Sequence, residues 1–256
     1  MTVKTGRVAR RATLAAFSSG VASASLSSSK NSVEVKSTLY PAGNLFIPAP
    51  HGKIEAILKE PREGVSRRGV ALVLHPHPLH GGTMHNKVVF RAARALNEAG
   101  LLTLRKNFRG VGQTTGTHDH GHGEAEDARV ALDYLVAHYP DAPLLVAGFS
   151  FGARVGLEAG VRDERVRALI GIGTPVSIPE RGYDFSFLRE CRKPILFVHG
   201  ERDEFGDVAK LRAIVAELPA EAHARVEIIP AAGHFFDHQL DELSRVITKW
   251  AEETMK

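Results

Sequence analysis

One serine in this chain stands in the context that acyl-transfer chemistry requires, within Gly148-Phe-Ser150-Phe-Gly152. An apolar run at Leu144–Ala147 precedes it and predicts a buried strand, and a helical pattern from about Ala153 to Val161 follows. A sharp strand-to-helix turn strains its central residue, and glycines two positions away on each side remove the clashes. The serine oxygen would project beside a helix N-terminus, which favours negative charge. The pattern predicts that Ser150 is a nucleophile.

A serine hydroxyl is a poor nucleophile at neutral pH and needs a base within hydrogen-bonding distance. Two later segments supply a base, His234 in Ala231-Ala-Gly-His234, and an acid that would orient it, Asp203 in His199-Gly-Glu-Arg-Asp203. Each follows a predicted strand, so both side chains would join Ser150 at the carboxyl edge of a parallel sheet. The order serine, acid, histidine is the one that this kind of strand-to-helix nucleophile uses. The alternatives are the acids Glu201, Glu204 and Asp207, and the later His238.

An oxyanion on the attacked carbonyl needs backbone N–H donors beside the nucleophile. One predicted donor is Phe151, the residue after Ser150. The second should come from the loop His75-Pro-His-Pro-Leu-His-Gly-Gly82, which follows the third predicted strand. Proline has no N–H, which leaves the amides of His77 and Leu79 as alternatives.

Histidines are frequent in two loops and raise the alternative of a bound metal ion. They are His75, His77, His80 and His85 in the first loop, and His118, His120 and His122 in the second. Alternating histidines can chelate zinc or nickel. Prolines interrupt the first group, and the second lies in a loop rich in glycine and threonine, so polar lining of a cleft is the simpler interpretation. We expect no metal ion and no other cofactor.

The remaining pattern is an alternation of strands and helices. The predicted strands are Leu45–Ile47, Ile54–Leu58, Val70–Leu74, Leu101–Leu104, Leu144–Ala147, Ala168–Ile172, Ile195–Val198 and Arg225–Ile229. The predicted helices are Lys87–Ala99, Glu124–His138, Ala153–Val161, Val208–Leu218 and Leu240–Thr254. This spacing indicates an α/β fold with a mainly parallel sheet and helices on both faces. The first two strands share a short turn and predict an antiparallel edge at the N-terminal side.

The excess positive charge of the chain lies in its first 36 residues. The 256 residues have a formal net charge of +4. Residues 1–36 hold six lysines and arginines against Glu34 alone, so the remainder carries a charge of −1. Binding of nucleic acid would need basic residues on the folded body, and we expect no such partner. No apolar run is long enough for a membrane-spanning helix, so we expect no membrane partner.

Residues 1–36 are rich in serine, alanine and arginine, and we predict a disordered or targeting leader before one domain at residues 37–256. A transit-type presequence fits the composition. An export signal fits Arg10-Arg11 before a mildly apolar stretch and Ala22-Ser-Ala24, and a disordered tail is the third alternative. We expect a cytoplasmic protein, with import into an organelle or export if the leader is a cleaved presequence.

Five motifs together resemble the small lidless α/β-hydrolases related to dienelactone hydrolase. They are His75-Pro-His-Pro-Leu-His-Gly-Gly-Thr-Met-His-Asn-Lys-Val-Val89, Asn107-Phe-Arg-Gly-Val-Gly112, Gly148-Phe-Ser-Phe-Gly152, His199-Gly-Glu-Arg-Asp203 and Gly233-His234. The resemblance covers about residues 44–250 and implies an α/β-hydrolase fold, a triad of Ser150, Asp203 and His234, and no cofactor. The nucleophile here is serine, whereas dienelactone hydrolase itself uses cysteine, so its substrate is not carried over.

The predicted function is hydrolysis of small-molecule esters or thioesters of short to medium acyl groups through an acyl-enzyme. Only Pro175 to Pro194 separate two strands, too short a segment for a large cap, so the cleft should be open. The alternatives are a peptidase or amidase with the same triad, and a non-catalytic binding or scaffold protein on the same fold. The oligomeric state stays unknown.

Two further groups of residues near the predicted site have alternative interpretations. Aromatic residues flank the catalytic turns and would either line an acyl site or pack in the core; they are Phe149, Phe151, Phe235 and Phe236. Basic residues lie near the same edge and would either favour an anionic substrate or form a solvated surface; they are Arg105, Lys106, Arg109 and Arg154.

Overall fold

The computed structural model describes residues 43–178 and 182–256, and the predicted leader at residues 1–36 lies outside the described residues. The strands in the described part are β1 Gly43–Ala49, β2 Gly52–Lys59, β3 Gly69–Leu74, β4 Leu101–Lys106, β5 Leu144–Phe149, β6 Val166–Ile172, β7 Ile195–Gly200 and β8 Arg225–Ile229. The helices are α1 Lys87–Glu98, α2 His122–His138, α3 Phe151–Arg162, α4 Val208–Ala216 and α5 Leu240–Thr254. Each of these elements corresponds to one predicted from sequence periodicity.

The strands form one sheet in the order β1-β2-β4-β3-β5-β6-β7-β8. The pairs β1–β2 and β2–β4 are antiparallel, and the pairs from β4–β3 to β7–β8 are parallel. The predicted mainly parallel sheet with an antiparallel N-terminal edge is therefore confirmed. Because consecutive parallel strands are joined by crossovers, their carboxyl ends, and the loops that follow them, meet at one edge of the sheet.

Helices cover both faces of the sheet. On one face, α1 and α5 pack together over apolar residues of β3, β5, β6 and β7, whereas α2 and α3 pack on the other face. All residues of β3, β4, β5 and β7 are buried. Burial on both faces explains why these strands read as continuous apolar runs rather than as alternating ones.

No cap covers the carboxyl edge of the sheet in the described part of the chain. Between β6 and β7, the helical structure among the described residues is a short 3₁₀ segment, Ser186–Glu190. The open cleft expected from the short connection is therefore consistent with the structure.

Within residues 43–178 and 182–256, every helix is too short or too polar to span a bilayer.

Candidate active site

The backbone turns sharply at Ser150, between β5 and α3, as the two flanking glycines predict. Ser150 has φ 55° and ψ −119°, a backbone conformation that residues with a Cβ rarely adopt. A Cβ on Gly148 would lie 2.1 Å from the backbone oxygen of Gly152. A Cβ on Gly152 would lie 2.5 Å from the backbone oxygen of His75. The turn that exposes the serine oxygen thus requires glycine at both positions.

The side chains of Ser150, His234 and Asp203 form a continuous hydrogen-bonded chain. The Ser150 hydroxyl lies 2.9 Å from His234 Nε2, and His234 Nδ1 lies 2.9 Å from each carboxylate oxygen of Asp203. All three residues are buried, with Ser150 the most accessible at 9% exposure. Since Nδ1–H donates to the carboxylate, Nε2 is the acceptor that faces the serine hydroxyl. The structure therefore brings together the three residues that the sequence motifs selected.

The competing acids and the competing histidine lie elsewhere. Glu201 accepts a hydrogen bond from the backbone N–H of Ala231, and Asp207 caps the N-terminus of α4. Glu204 and His238 are exposed. By contrast, Asp203 Oδ1 also accepts from the backbone N–H of Phe205 at 2.9 Å, which holds the carboxylate in place. Of the alternatives that the sequence left open, His234 is the histidine beside Ser150, and Asp203 is the acid bonded to it.

A second buried histidine, His199, lies behind the carboxylate and was missed as a contributor to the site. Its Nε2 lies 2.9 Å from the backbone oxygen of Gly206 and 3.5 Å from Asp203 Oδ2. Burial lowers the pKa of His199, although Asp203 opposes this shift, so the ring is neutral at pH 7. A neutral His199 leaves the negative charge of Asp203 available to His234. The sequence feature that could have identified His199 is its position as the first residue of the motif that contains Asp203.

The two predicted oxyanion donors from the loop after β3 differ in their surroundings. Leu79 donates its backbone N–H to His77 Nδ1 at 3.2 Å, and its side chain is 68% exposed. His77 lines the cavity beside Ser150, whereas Leu79 does not. Phe151 is the first residue of α3, so its N–H has no partner within the helix. Phe151 and His77 thus lie beside Ser150, whereas the Leu79 N–H already has a partner.

The ring of His75 holds the loop after β3 in position. His75 Nδ1 donates to the backbone oxygen of Pro76 at 2.6 Å, and Nε2 accepts from the backbone N–H of Phe108 at 2.9 Å. The first bond fixes the plane of the Pro76–His77 peptide, and in a trans peptide the N–H points away from the carbonyl oxygen. Burial lowers the pKa of His75 to about 3, so the neutral ring that both bonds require is the stable form at pH 7.

Keeping His75 neutral should cost stability in acid. Its imidazole takes up a proton below about pH 6.5 in the unfolded chain, but only near pH 3 in the folded protein. The unfolded state therefore binds more protons between these values, and the free energy of unfolding should fall as the pH decreases from 6.5 towards 3. The contribution of one proton is at most about 1.4 kcal/mol per pH unit. Urea unfolding should show a shallower pH dependence for His75→Gln, and equal slopes would contradict this assignment.

An open cavity of about 190 Å³ lies beside Ser150. Apolar and aromatic side chains dominate its wall; they include Phe151, Pro175, Ile178, Tyr183, Phe205 and Phe235. Two of the aromatic residues that flank the catalytic turns, Phe149 and Phe236, pack instead in the core beneath α1 and α5. Phe151 and Phe235 line the cavity, although Phe151 also packs in the core, and Tyr183 and Phe205 line it without belonging to any of the sequence motifs.

The solvated-surface interpretation of the basic residues is wrong for two of the four. Arg105 and Lys106 are buried at the end of β4, and Arg105 donates to the backbone oxygen of Met84 at 2.8 Å. Lys106 Nζ lies 3.8 Å from the centroid of the Phe108 ring. Burial lowers the pKa of Lys106 to about 7, although nearby Asp127 opposes the shift. Neither side chain is placed to meet a substrate from solvent.

The histidine-rich loops converge without forming a metal-binding geometry. Within the described ranges, no three histidine, cysteine or carboxylate side chains are grouped to hold a metal ion. The rings of His77 and His118 lie beside Phe151, with centroids 4.9 and 5.8 Å from the Phe151 centroid, respectively. The centroids of the two histidine rings are 4.9 Å apart. His118 Nδ1 is 2.7 Å from the buried carboxylate of Glu124. These rings form part of the wall beside the cleft.

The chain is similar in sequence and structure to proteins of one family. A family model described as an α/β hydrolase domain matches residues 70–253. A protein of Xanthomonas campestris, described as an α/β serine hydrolase without a lid, is 33% identical over 84% of this chain and 96% of that chain, with a TM-score of 0.77. An α/β serine hydrolase homologue from Coxiella burnetii is 35% identical over 80% of this chain and 95% of that chain, with a TM-score of 0.73. The chain belongs to the α/β-hydrolase family.

One further relative and one further solved structure are also similar to this chain. An uncharacterized protein of Rickettsia prowazekii is 36% identical over 210 residues, which are 80% of this chain and 87% of that protein. Est1E of Butyrivibrio proteoclasticus, solved with ferulic acid bound, has a TM-score of 0.72 but only 20% identity, over 82% of this chain and 99% of that chain. This second likeness shows the fold alone. The family and its serine hydrolase members support hydrolase activity.

Proposed function

We propose that this protein is a serine hydrolase that cleaves carboxylic esters or thioesters of short to medium acyl groups through an acyl-enzyme. The observation that carries the proposal is the 2.9 Å contact between the Ser150 hydroxyl and His234 Nε2, with Asp203 on the far side of the imidazole. A scaffold protein would not need this buried, fully connected arrangement at a strained turn.

In the proposed reaction, His234 Nε2 takes the proton of Ser150 as the serine oxygen attacks the carbonyl carbon. Asp203 keeps the other ring nitrogen protonated and stabilises the imidazolium. The amides of Phe151 and His77 hold the oxyanion. The C–O or C–S bond of the substrate then breaks, and His234 returns its proton to the departing alcohol or thiol. Water repeats the attack on the acyl-enzyme, which releases the acid and restores the serine.

The apolar wall of the cavity favours binding of an acyl group that carries no formal charge near its carbonyl. Phe151 and Tyr183 border one side of the cavity, and Phe205 and Phe235 border the side on which the His234 ring lies. With no cap among the described residues, the cleft suits small, accessible substrates. An amidase or peptidase would use the same triad.

A fluorophosphonate probe tests the nucleophile and an ester panel tests the reaction. We expect the probe to modify Ser150, identified by mass spectrometry of the tryptic peptides, and to block turnover of 4-nitrophenyl butyrate and of a matched thioester. Modification should require the native fold and disappear in urea. A folded protein that neither reacts with the probe nor hydrolyses any ester or thioester would favour the scaffold alternative. Turnover of amides alone would favour the amidase.

A further inference from the structure

A second cavity of about 300 Å³ lies between α2 and α3, next to the cavity of Ser150. Phe151 and Tyr183 line both cavities, and their ring centroids are 6.5 Å apart. A ligand that extends past these two rings would therefore reach from Ser150 into the second cavity. We name this cavity the arginine groove, because Arg129, Arg154 and Arg162 line it.

The charge of the arginine groove is not balanced by its own acids. Three guanidinium groups face two carboxylates, those of Glu126 and Glu158. Arg154 lies 2.5 Å from Glu158, and Arg162 lies 2.7 Å from the same carboxylate. Arg154 is also held above the ring of Phe187, with 4.8 Å between its Cζ and the ring centroid. One acid thus satisfies two of the three arginines.

The second acid of the groove is engaged by an arginine from outside it. Glu126 lies 3.1 Å from Arg109, which also binds Asp127. Arg129 is exposed on α2 and forms no ion pair with any residue of the described part of the chain. Burial would raise the pKa of Glu158, but Arg154, Arg162 and Arg129 hold it below its usual range. Arg129 is therefore the cation available to a ligand.

The position of His234 determines which part of an ester would reach the groove. His234 must return a proton to the leaving group, so the leaving group lies beside its ring. That ring contacts Phe205 and Phe235, with centroids 4.7 and 5.2 Å away. The arginine groove instead begins at the rings of Phe151 and Tyr183, which do not border the leaving-group side of the cavity. The acyl part of the substrate is thus the part that extends towards the groove.

Building on the proposed ester hydrolysis, we propose that the arginine groove binds a carboxylate at the far end of the acyl group. The preferred substrates are then half-esters of dicarboxylic acids, with the apolar cavity holding the methylene chain and Arg129 the terminal carboxylate. An ion pair on an exposed side chain contributes modestly to binding, so the preference should be about two- to fivefold in kcat/KM. It should weaken at high salt because exposed charges are screened.

The test compares 4-nitrophenyl half-esters of succinic to sebacic acid with the same compounds capped as methyl esters. The measured quantity is the ratio of kcat/KM for the free acid to that for the capped ester at each chain length. We expect a ratio above one that peaks at one length, falls towards one in Arg129→Gln and falls below one in Arg129→Glu. Arg94→Gln is the matched control, because Arg94 is an exposed arginine on α1, on the opposite face of the sheet.

The outcomes separate this proposal from the one it rests on. Hydrolysis of both ester series with a ratio of one at every length would overturn the groove proposal and leave the serine hydrolase intact. A preference for the free acid that survives in both Arg129 variants would overturn the assignment to Arg129. Failure to hydrolyse either series by folded protein would overturn both proposals.

Discussion

Ser150→Ala should lower kcat for 4-nitrophenyl butyrate by about 10⁵- to 10⁶-fold, the largest effect that we expect from any single substitution. The Ser150 hydroxyl lies 2.9 Å from His234 Nε2, and alanine has no hydroxyl with which to form the acyl-enzyme. A small residual rate should remain, since the proposed oxyanion donors and the apolar cavity are still in place. Stopped assays at high enzyme concentration would measure it.

The same variant should fold normally, which separates chemistry from stability. Alanine adopts the strained backbone at position 150 about as well as serine, and the lost hydrogen bond to His234 is worth about 1 kcal/mol. Urea unfolding checks this expectation. Ser66→Ala is the matched control, because Ser66 is exposed before β3, at the opposite edge of the sheet. A Ser150→Ala protein that kept a tenth of the wild-type turnover would refute the proposed nucleophile.

Asp203→Asn should lower kcat by about 10⁴-fold with little loss of structure. The carboxylate presents two acceptor oxygens to His234 Nδ1, both at 2.9 Å, and one of them also accepts from the N–H of Phe205. An asparagine replaces one acceptor with an NH₂ donor, which favours the tautomer with the proton on Nε2. His234 could then no longer accept the serine proton. Steady-state kinetics from pH 6 to 9 would measure the loss.

A neighbouring carboxylate provides the control for this second variant. Glu204→Gln removes one negative charge from the next residue of the same loop, but the Glu204 side chain is exposed. We expect its kcat to stay close to that of the wild type, because exposed charges act weakly across solvent. If Glu204→Gln and Asp203→Asn lost activity equally, the effect would reflect the general charge of the loop rather than the orientation of His234.

Both substitutions concern residues that local sequence patterns identified. The turn at Ser150 depends on contacts between atoms close in the chain, since a Cβ on Gly148 would strike Gly152. Runs of apolar residues indicate the buried strands, and the parallel arrangement brings the loops that follow these strands to one edge of the sheet. Ser150, Asp203 and His234 could therefore be selected before any contact between them was known.

Tertiary structure alone decided how the neighbours of these residues are used. Phe235 and Phe236 are adjacent in the chain, yet one lines the cavity and the other packs beneath α1 and α5. Lys106 looks like a surface residue in sequence, but its position at the end of β4 buries it. The arginine groove exists only because α2 pairs with α3. Such outcomes depend on which surfaces of distant segments meet, and the type and spacing of side chains along the chain do not encode this. Backbone sterics and runs of apolar residues, by contrast, act within a few residues and can be recognised in the sequence.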